Sequence, residues 1–258
     1  MKQASRKFID LIQQASSKFA NWDPPHLIEV GDYGEIDRDT GKLEKSGNIY
    51  DGTCVNTAVT ELAAQYPPVK NPARDEYTLN STHARRAEFG AGVDATAAGL
   101  GDASLKAKWN FGKKRAALLT MHNPVSITIP DAFFEASRNI PFLKNKDIVV
   151  EVHQCSAYVM YLSNKTAETV HLVLRANGPA NAVGGGASAG WWSEGASGMF
   201  QKAYHPENIY TPLFRLLRRA SPGFNEPDDN DLWGDTEVPW NFLDEDGEEE
   251  GDEDEVYE

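Results

Sequence analysis

The chain has 258 residues, enough for one large domain or two small ones, and its 40% apolar content excludes a wholly disordered protein. The net charge of −14 is concentrated: from Glu226 onward there are seventeen acidic residues and no basic one, which leaves 22 acidic against 25 basic residues and a net charge of +3 over positions 1–225. Two cysteines, Cys54 and Cys155, exclude a disulfide framework, and no run of apolar residues is long enough for a transmembrane helix.

In chain order, residues 5–19 place Phe8, Leu11, Ile12, Ala15 and Phe19 at helical spacing and predict an amphipathic helix. Lys2, Arg6, Lys7 and Lys18 give its wet surface a positive character. Asp23-Pro24-Pro25 ends the segment, because proline removes a donor and disfavours helix before it. Residues 27–30 read as a short strand, and residues 35–51 as a hairpin turning at Asp39-Thr40-Gly41. Residues 55–64 predict a short helix with Val59, Leu62 and Ala63 inward. A proline-rich connector, residues 67–74, leads into a region of alternating residues.

That alternation occurs four times. In Leu105–Phe111, Leu105, Ala107, Trp109 and Phe111 lie on one face and Lys106, Lys108 and Asn110 on the other. In residues 169–177, Val170, Leu172, Leu174 and Ala176 oppose Thr169, His171 and Arg175, with Val173 as an exception. Residues 77–94 and 187–200 are looser versions, rich in Ala, Gly and Ser. The first two in chain order are joined by a bend at residues 99–102, the last two by a tip at residues 182–186. Between these pairs, residues 116–129 hold short strands. Pro130 opens a helix to about residue 139, and residues 148–162 form a central strand or two. Residues 210–217 close the series as a strand or short helix. The acidic stretch then reads as a solvated tail, because like charges repel and little apolar surface is available.

A strand crossing a bilayer needs about 9–11 residues with a period of two. A sheet with one wet face has the same period. Alternation by itself therefore leaves both readings open.

Catalytic chemistry is not legible. The six histidines are scattered, and none pairs with a Cys, carboxylate or second His at metal-ligand spacing. Cys54 and Cys155 lack a CxxC context and read as buried thiols. Residues 37–41 have the glycine one position early for a calcium loop, and Gly184-Gly185-Gly186 lacks the GK[ST] of a phosphate loop. The expectation is a protein that is not an enzyme and that holds no metal and no cofactor. Two basic clusters stand out instead: Lys2, Arg6, Lys7 and Lys18, and Lys106, Lys108, Lys113, Lys114 and Arg115. Each cation near an anionic lipid surface contributes roughly 1 kcal/mol, so either cluster suits acidic phospholipid. The small net charge of residues 1–225 argues against nucleic acid.

The chain resembles the pore-forming domain of the gasdermin family. The matching text is LIEV at 27–30, AALLTMHNPVSITIP at 116–130, SAYVMYLSNKTAETVHLVLRANG at 156–178 and YTPLFRLLRR at Tyr210–Arg219, in an order of elements that also agrees. The resemblance covers roughly residues 4–219 and is greatest to the short fungal members, regulators of cell death involved in allorecognition. It implies an α+β fold, a twisted, mainly antiparallel sheet with packed helices. It also implies two hairpin regions, about 75–121 and 166–203, that refold into a transmembrane β-barrel on oligomerisation. The implied activity is permeabilisation of the plasma membrane by a protein that is cytoplasmic until it assembles. Lys2, Arg6 and Lys7 correspond by position to the basic residues of the family's lipid-binding first helix. Leu105, Ala107, Trp109, Phe111, Val170, Leu172 and Leu174 would then face lipid, and Lys106, Lys108, His171 and Arg175 the lumen.

The chain departs from the larger family members in its end. A pore-forming domain over residues 1–225 is followed only by the acidic segment 226–258, without a C-terminal repressor domain. Activation is therefore expected from assembly with a related, non-identical chain or with further copies. The tail either keeps the protein soluble or restrains its basic surfaces. The competing reading is a soluble antiparallel-sheet module that binds a protein partner and has no membrane activity.

Overall fold

The computed structural model describes residues 2–87, 105–175, 190–219, 233–241, 243, 244 and 249. The first helix, α1 (Lys2–Ser16), buries Ala4, Phe8, Ile9 and Ile12, a stripe at the spacing of a 3.6-residue repeat. It ends earlier than the periodicity predicts. Ser17 takes a left-handed φ of 57°, and Phe19 leaves the helix to open a two-residue strand, β1 (Phe19–Ala20).

A hairpin follows, β2 (Asp32–Ile36) and β3 (Leu43–Asn48), turning at the predicted Asp39-Thr40-Gly41. Residues 27–30, read as a strand, form none; backbone pairing begins at Gly31, whose φ is 87° and whose N–H donates to Val149 O at 2.8 Å. The second helix, α2 (Thr57–Gln65), is capped by Asn56, whose side chain accepts from the Val59 N–H. Beyond it lie β4 (Val69–Lys70), β5 (Glu76–Asn80), β6 (Ala84–Ala87), β7 (Leu105–Phe111), β8 (Ala117–His122) and β9 (Val125–Thr128). Pro130 stands just before α3 (Asp131–Ala136) rather than inside it.

The central apolar run divides in two at Ser156, giving β10 (Asp147–Cys155) and β11 (Ala157–Leu162). Then come β12 (Glu168–Arg175), β13 (Gly190–Glu194), β14 (Met199–Tyr204), β15 (Tyr210–Arg219) and β16 (Trp233–Asp235). The predicted bend at residues 99–102, the tip at residues 182–186 and the far parts of the alternating segments lie outside the described residues.

The described strands pair antiparallel in three sheets, so the fold is α+β with mostly antiparallel sheet. The largest runs β1-β15-β10-β2-β3, with β9 and β4 continuing from β10 and β16 lying on the end of β15. The other two have four strands each, β14-β11-β8-β5 and β13-β12-β7-β6. The main core lies under α1 and joins Phe8, Ile12 and Phe19 to Leu119, Met121, Met160, Val152 and Phe214. Among the described residues, no helix is long and apolar enough to cross a membrane. Cys54 and Cys155 are free and buried, and burial pushes the Cys155 thiol up to about 12.

Candidate membrane-active surfaces

The two four-stranded sheets are two halves of one ribbon. β5 continues into β6, β7 into β8, β11 into β12 and β13 into β14, each across a short bend. Non-glycine residues hold two of these bends in the left-handed region, Arg115 at φ 60° and Ala167 at φ 58°; Gly195 at φ 82° serves a third. Hydrogen bonds tie the bends together. Ser163 donates its N–H to Ala116 O at 2.9 Å and its hydroxyl to Lys113 O at 2.9 Å, and accepts at its carbonyl from the Arg115 N–H at 3.0 Å.

Folding the ribbon on itself encloses a second core. Ala107, Trp109, Phe111, Val170, Leu172 and Leu174 from the upper half meet Leu118, Val159 and Tyr161 from the lower half. Phe111 meets the Tyr161 ring edge-on, with centroids 5.0 Å apart. The apolar faces read from the alternation are thus turned inward on the ribbon itself, not onto the body under α1. The Leu105 side chain lies outside the described residues. On the outer face Lys108 opposes His171, and Asn110 opposes Thr169, with Thr169 Oγ1 donating to Asn110 Oδ1 at 3.0 Å. The side chains of Lys106 and Arg175 lie outside the described residues.

A buried carboxylate closes the second hairpin's bend. Glu168 Oε1 accepts from the Ser197 N–H at 2.6 Å, and the Tyr161 hydroxyl accepts from the Gly198 N–H at 2.9 Å. Burial works against the charge on Glu168, but hydrogen bonds from Tyr161, Ser197 and Asn164 outweigh it and hold the carboxyl below its usual range.

The second basic cluster gathers at the foot of the upper half. Lys113 is exposed in the bend, with Lys114 and Arg115 half-buried beside it.

The first basic cluster is not free. Arg6 Nη2 lies 3.0 Å from Glu249 Oε1, and the same carboxylate takes Arg38 Nη2 at 2.6 Å from the β2–β3 turn. Lys7 Nζ donates to Leu243 O at 2.5 Å. The Arg6 guanidinium also stands over the Trp240 ring, 5.5 Å from its centroid. Gly41 makes this approach possible: its φ is 72°, and an added Cβ would lie 2.5 Å from Ile9 Cδ1 and 3.1 Å from the Trp240 ring. Lys2 has no described side chain.

Lys18 departs from the wet surface that a helical wheel gives it, because the helix ends at Ser16 and the chain turns inward. Its ammonium lies 2.8 Å from Glu151 Oε2 and 2.9 Å from His153 Nε2, and His153 stacks on Tyr77 with ring centroids 5.0 Å apart. Burial opposes the Glu151 charge, but His153 and Lys18 overcome it and bring the carboxyl down to about 2. Burial lowers the His153 pKa, and the Glu151 carboxylate offsets this only in part.

The described part of the acidic segment is therefore not a solvated tail. β16 adds to the end of β15, Trp240 and Leu243 join the main core, and Thr236 Oγ1 donates to the buried Asp147 at 2.9 Å. Apolar residues spaced among the acids supply the burial that charge counting missed. Trp233, Trp240 and Leu243 were the signal for this in the sequence, whereas nothing in it marked Arg38 or Glu249. No family model matches the chain, and no curated protein matches it.

Proposed function

We propose that this protein permeabilises membranes. It binds acidic phospholipid, assembles edge to edge with further copies or with a related, non-identical chain, and straightens its bent ribbon into hairpins of a shared β-barrel. The carrying observation is the ribbon itself, four strands folded on one apolar face and tied at bends by left-handed residues.

The physics favours assembly. Backbone groups in lipid must all be paired, so a hairpin with an open edge does not survive there. Four strands per chain are too few for a water-filled lumen, so closure needs many chains. Burying each apolar side chain is worth about 1.5–3 kcal/mol either in the folded ribbon or against lipid. Closure then supplies much of the difference between the two states. On the straight ribbon Ala107, Trp109, Phe111, Val170, Leu172 and Leu174 face lipid, and Lys108 and His171 face the lumen. Lys113, Lys114 and Arg115 reach the headgroups.

Control falls to the C-terminal strap. Glu249, Leu243 and Trp240 occupy Arg6 and Lys7, the cations that α1 would offer to lipid. Sedimentation with phosphatidylserine vesicles, followed by electron microscopy, tests the reading. Ring-shaped assemblies are expected; protein left in the supernatant at low salt, with and without the strap, would refute it.

A further inference from the structure

Three ladders cross the bend of the ribbon, and they cross it differently. In the central ladder Phe111 opposes Glu168 above the bend and Ala117 opposes Leu162 below it, so five residues, 112–116, face five, 163–167. Straightening this pair needs no slip. Within the first hairpin Ala84 opposes Phe111 above and Asn80 opposes Leu118 below, so three residues, 81–83, stand against six, 112–117. Paired strands advance in equal steps of ~3.3 Å per residue, so this ladder cannot straighten in its present register. Within the second hairpin eight residues, 163–170, stand against four, 195–198.

We propose that straightening slides β6 along β7 by three residues, into the register that β5 already keeps with β8, and turns β6 over. The inference rests on the membrane reading above. A bulge cannot take up the three extra residues, because the central ladder pairs residues 112–116 one for one once it is straight. Sheet side chains alternate with a period of two, so a slip by an odd number exchanges faces. At rest Ala84 opposes Phe111 and Arg86 opposes Trp109, which puts an arginine on the apolar face. After the slip Ala87 opposes Phe111 and Arg86 opposes Gly112 on the wet face, while Arg85 takes Arg86's place on the other face but at the foot of the strand, opposite Lys113 at the level of the headgroups.

The sequence beyond β6 supports the slid register. Phe89, Ala91 and Val93 alternate with Glu88, Gly90, Gly92 and Asp94. This alternation is out of phase with Leu105, Ala107, Trp109 and Phe111 in the resting register, and an odd slip such as the three-residue one brings it into phase. The second hairpin differs by four, an even number, and keeps its faces. Three contacts belong to the resting register alone: the Arg86–Glu76 ion pair at 3.1 Å, the Asn80 Nδ2 donation to Ala84 O at 2.6 Å, and the Gly112 N–H donation to His83 O at 2.8 Å.

Two cysteine pairs read the register. Arg85→Cys with Asn110→Cys marks the resting ladder, in which these positions oppose each other. Arg85→Cys with Lys113→Cys marks the slid one. All three side chains are exposed, and the native cysteines are buried. In solution the first pair oxidises on the order of ten-fold faster, because only opposed positions bring the Cα atoms into disulfide range. On vesicles of phosphatidylserine and phosphatidylcholine the order reverses. Dye release with the Arg85–Asn110 cross-link still forming overturns the slip and leaves the membrane reading standing. Reversal without dye release supports the slip and overturns pore formation. Neither release nor reversal overturns both.

Discussion

Arg6 in the first helix and Glu249 near the end of the chain meet in an ion pair of 3.0 Å, although 243 positions separate them. Arg38 shares the carboxylate, so one acidic side chain holds two cations together. Arg38 keeps the Glu249 carboxyl below its usual range by hydrogen bond and charge. Glu249→Gln is expected to raise sedimentation with anionic vesicles several-fold at low salt, with the gain shrinking as salt screens the surface. Sedimentation across a salt series checks this. An unchanged binding curve would mean that the strap does not restrain the helix.

Acid is expected to weaken the resting fold in two steps. His153 is held neutral, with its pKa below 6.5, and Glu151 is held charged, with its pKa near 2 against 4.5 when unfolded. In both cases the unfolded chain binds more protons as pH falls, so stability is lost on the acid side. The His153 share goes as pH drops below 6.5, and the Glu151 share between 4.5 and 2. At neutral pH the Glu151 share is about 2 kcal/mol after allowing for its partial exposure. Thermal melts of the parent and Glu151→Gln from neutral to acid pH check the sign: the variant should lose the lower step. Lys18→Ala should cost about 1–3 kcal/mol, because it leaves that carboxylate buried without its ammonium.

Leu172 and Lys108 separate the two faces of the ribbon. Leu172 is fully buried in the ribbon's own core, and Leu172→Ala should destabilise the resting fold by about 2–5 kcal/mol in a denaturant titration. Lys108 stands on the outer face opposite His171, and Lys108→Glu should change stability by under about 0.5 kcal/mol. In planar bilayers the same charge reversal should shift conductance from anions toward cations. Selectivity indifferent to residue 108 would remove it from the lumen.

Ala167 and Arg115 hold left-handed backbone in the two bends of the central pair. A side chain in this region costs roughly 1–2 kcal/mol relative to right-handed backbone, a cost that glycine avoids. Ala167→Gly should therefore stabilise the bent ribbon by about 1 kcal/mol and slow dye release from vesicles. Ala167→Val should do the reverse. A melting temperature unmoved by either change would show that the bend stores no strain.

The strands of the ribbon were legible because Leu105, Ala107, Trp109 and Phe111 repeat with the period of a sheet, whatever solvent that sheet meets. The bends were not. Arg115 and Ala167 carry none of the marks of a turn, and tertiary hydrogen bonds to Ser163, not local preference, hold the strands folded there. Nor does the alternation say what covers its apolar face: the ribbon covers its own. Lys18 misled because the helix stops one turn early. Repulsion among carboxylates does not decide the fate of the acidic end, because Trp240 and Leu243 find core contacts and Glu249 finds Arg6 and Arg38.

The most direct measurement is release of trapped dye from phosphatidylserine vesicles by purified Glu249→Gln protein, with phosphatidylcholine vesicles alongside. Release is predicted from the anionic vesicles and not from the neutral ones, rising steeply with protein concentration as chains join. Protein that binds the anionic vesicles at every concentration and never releases dye would contradict the account.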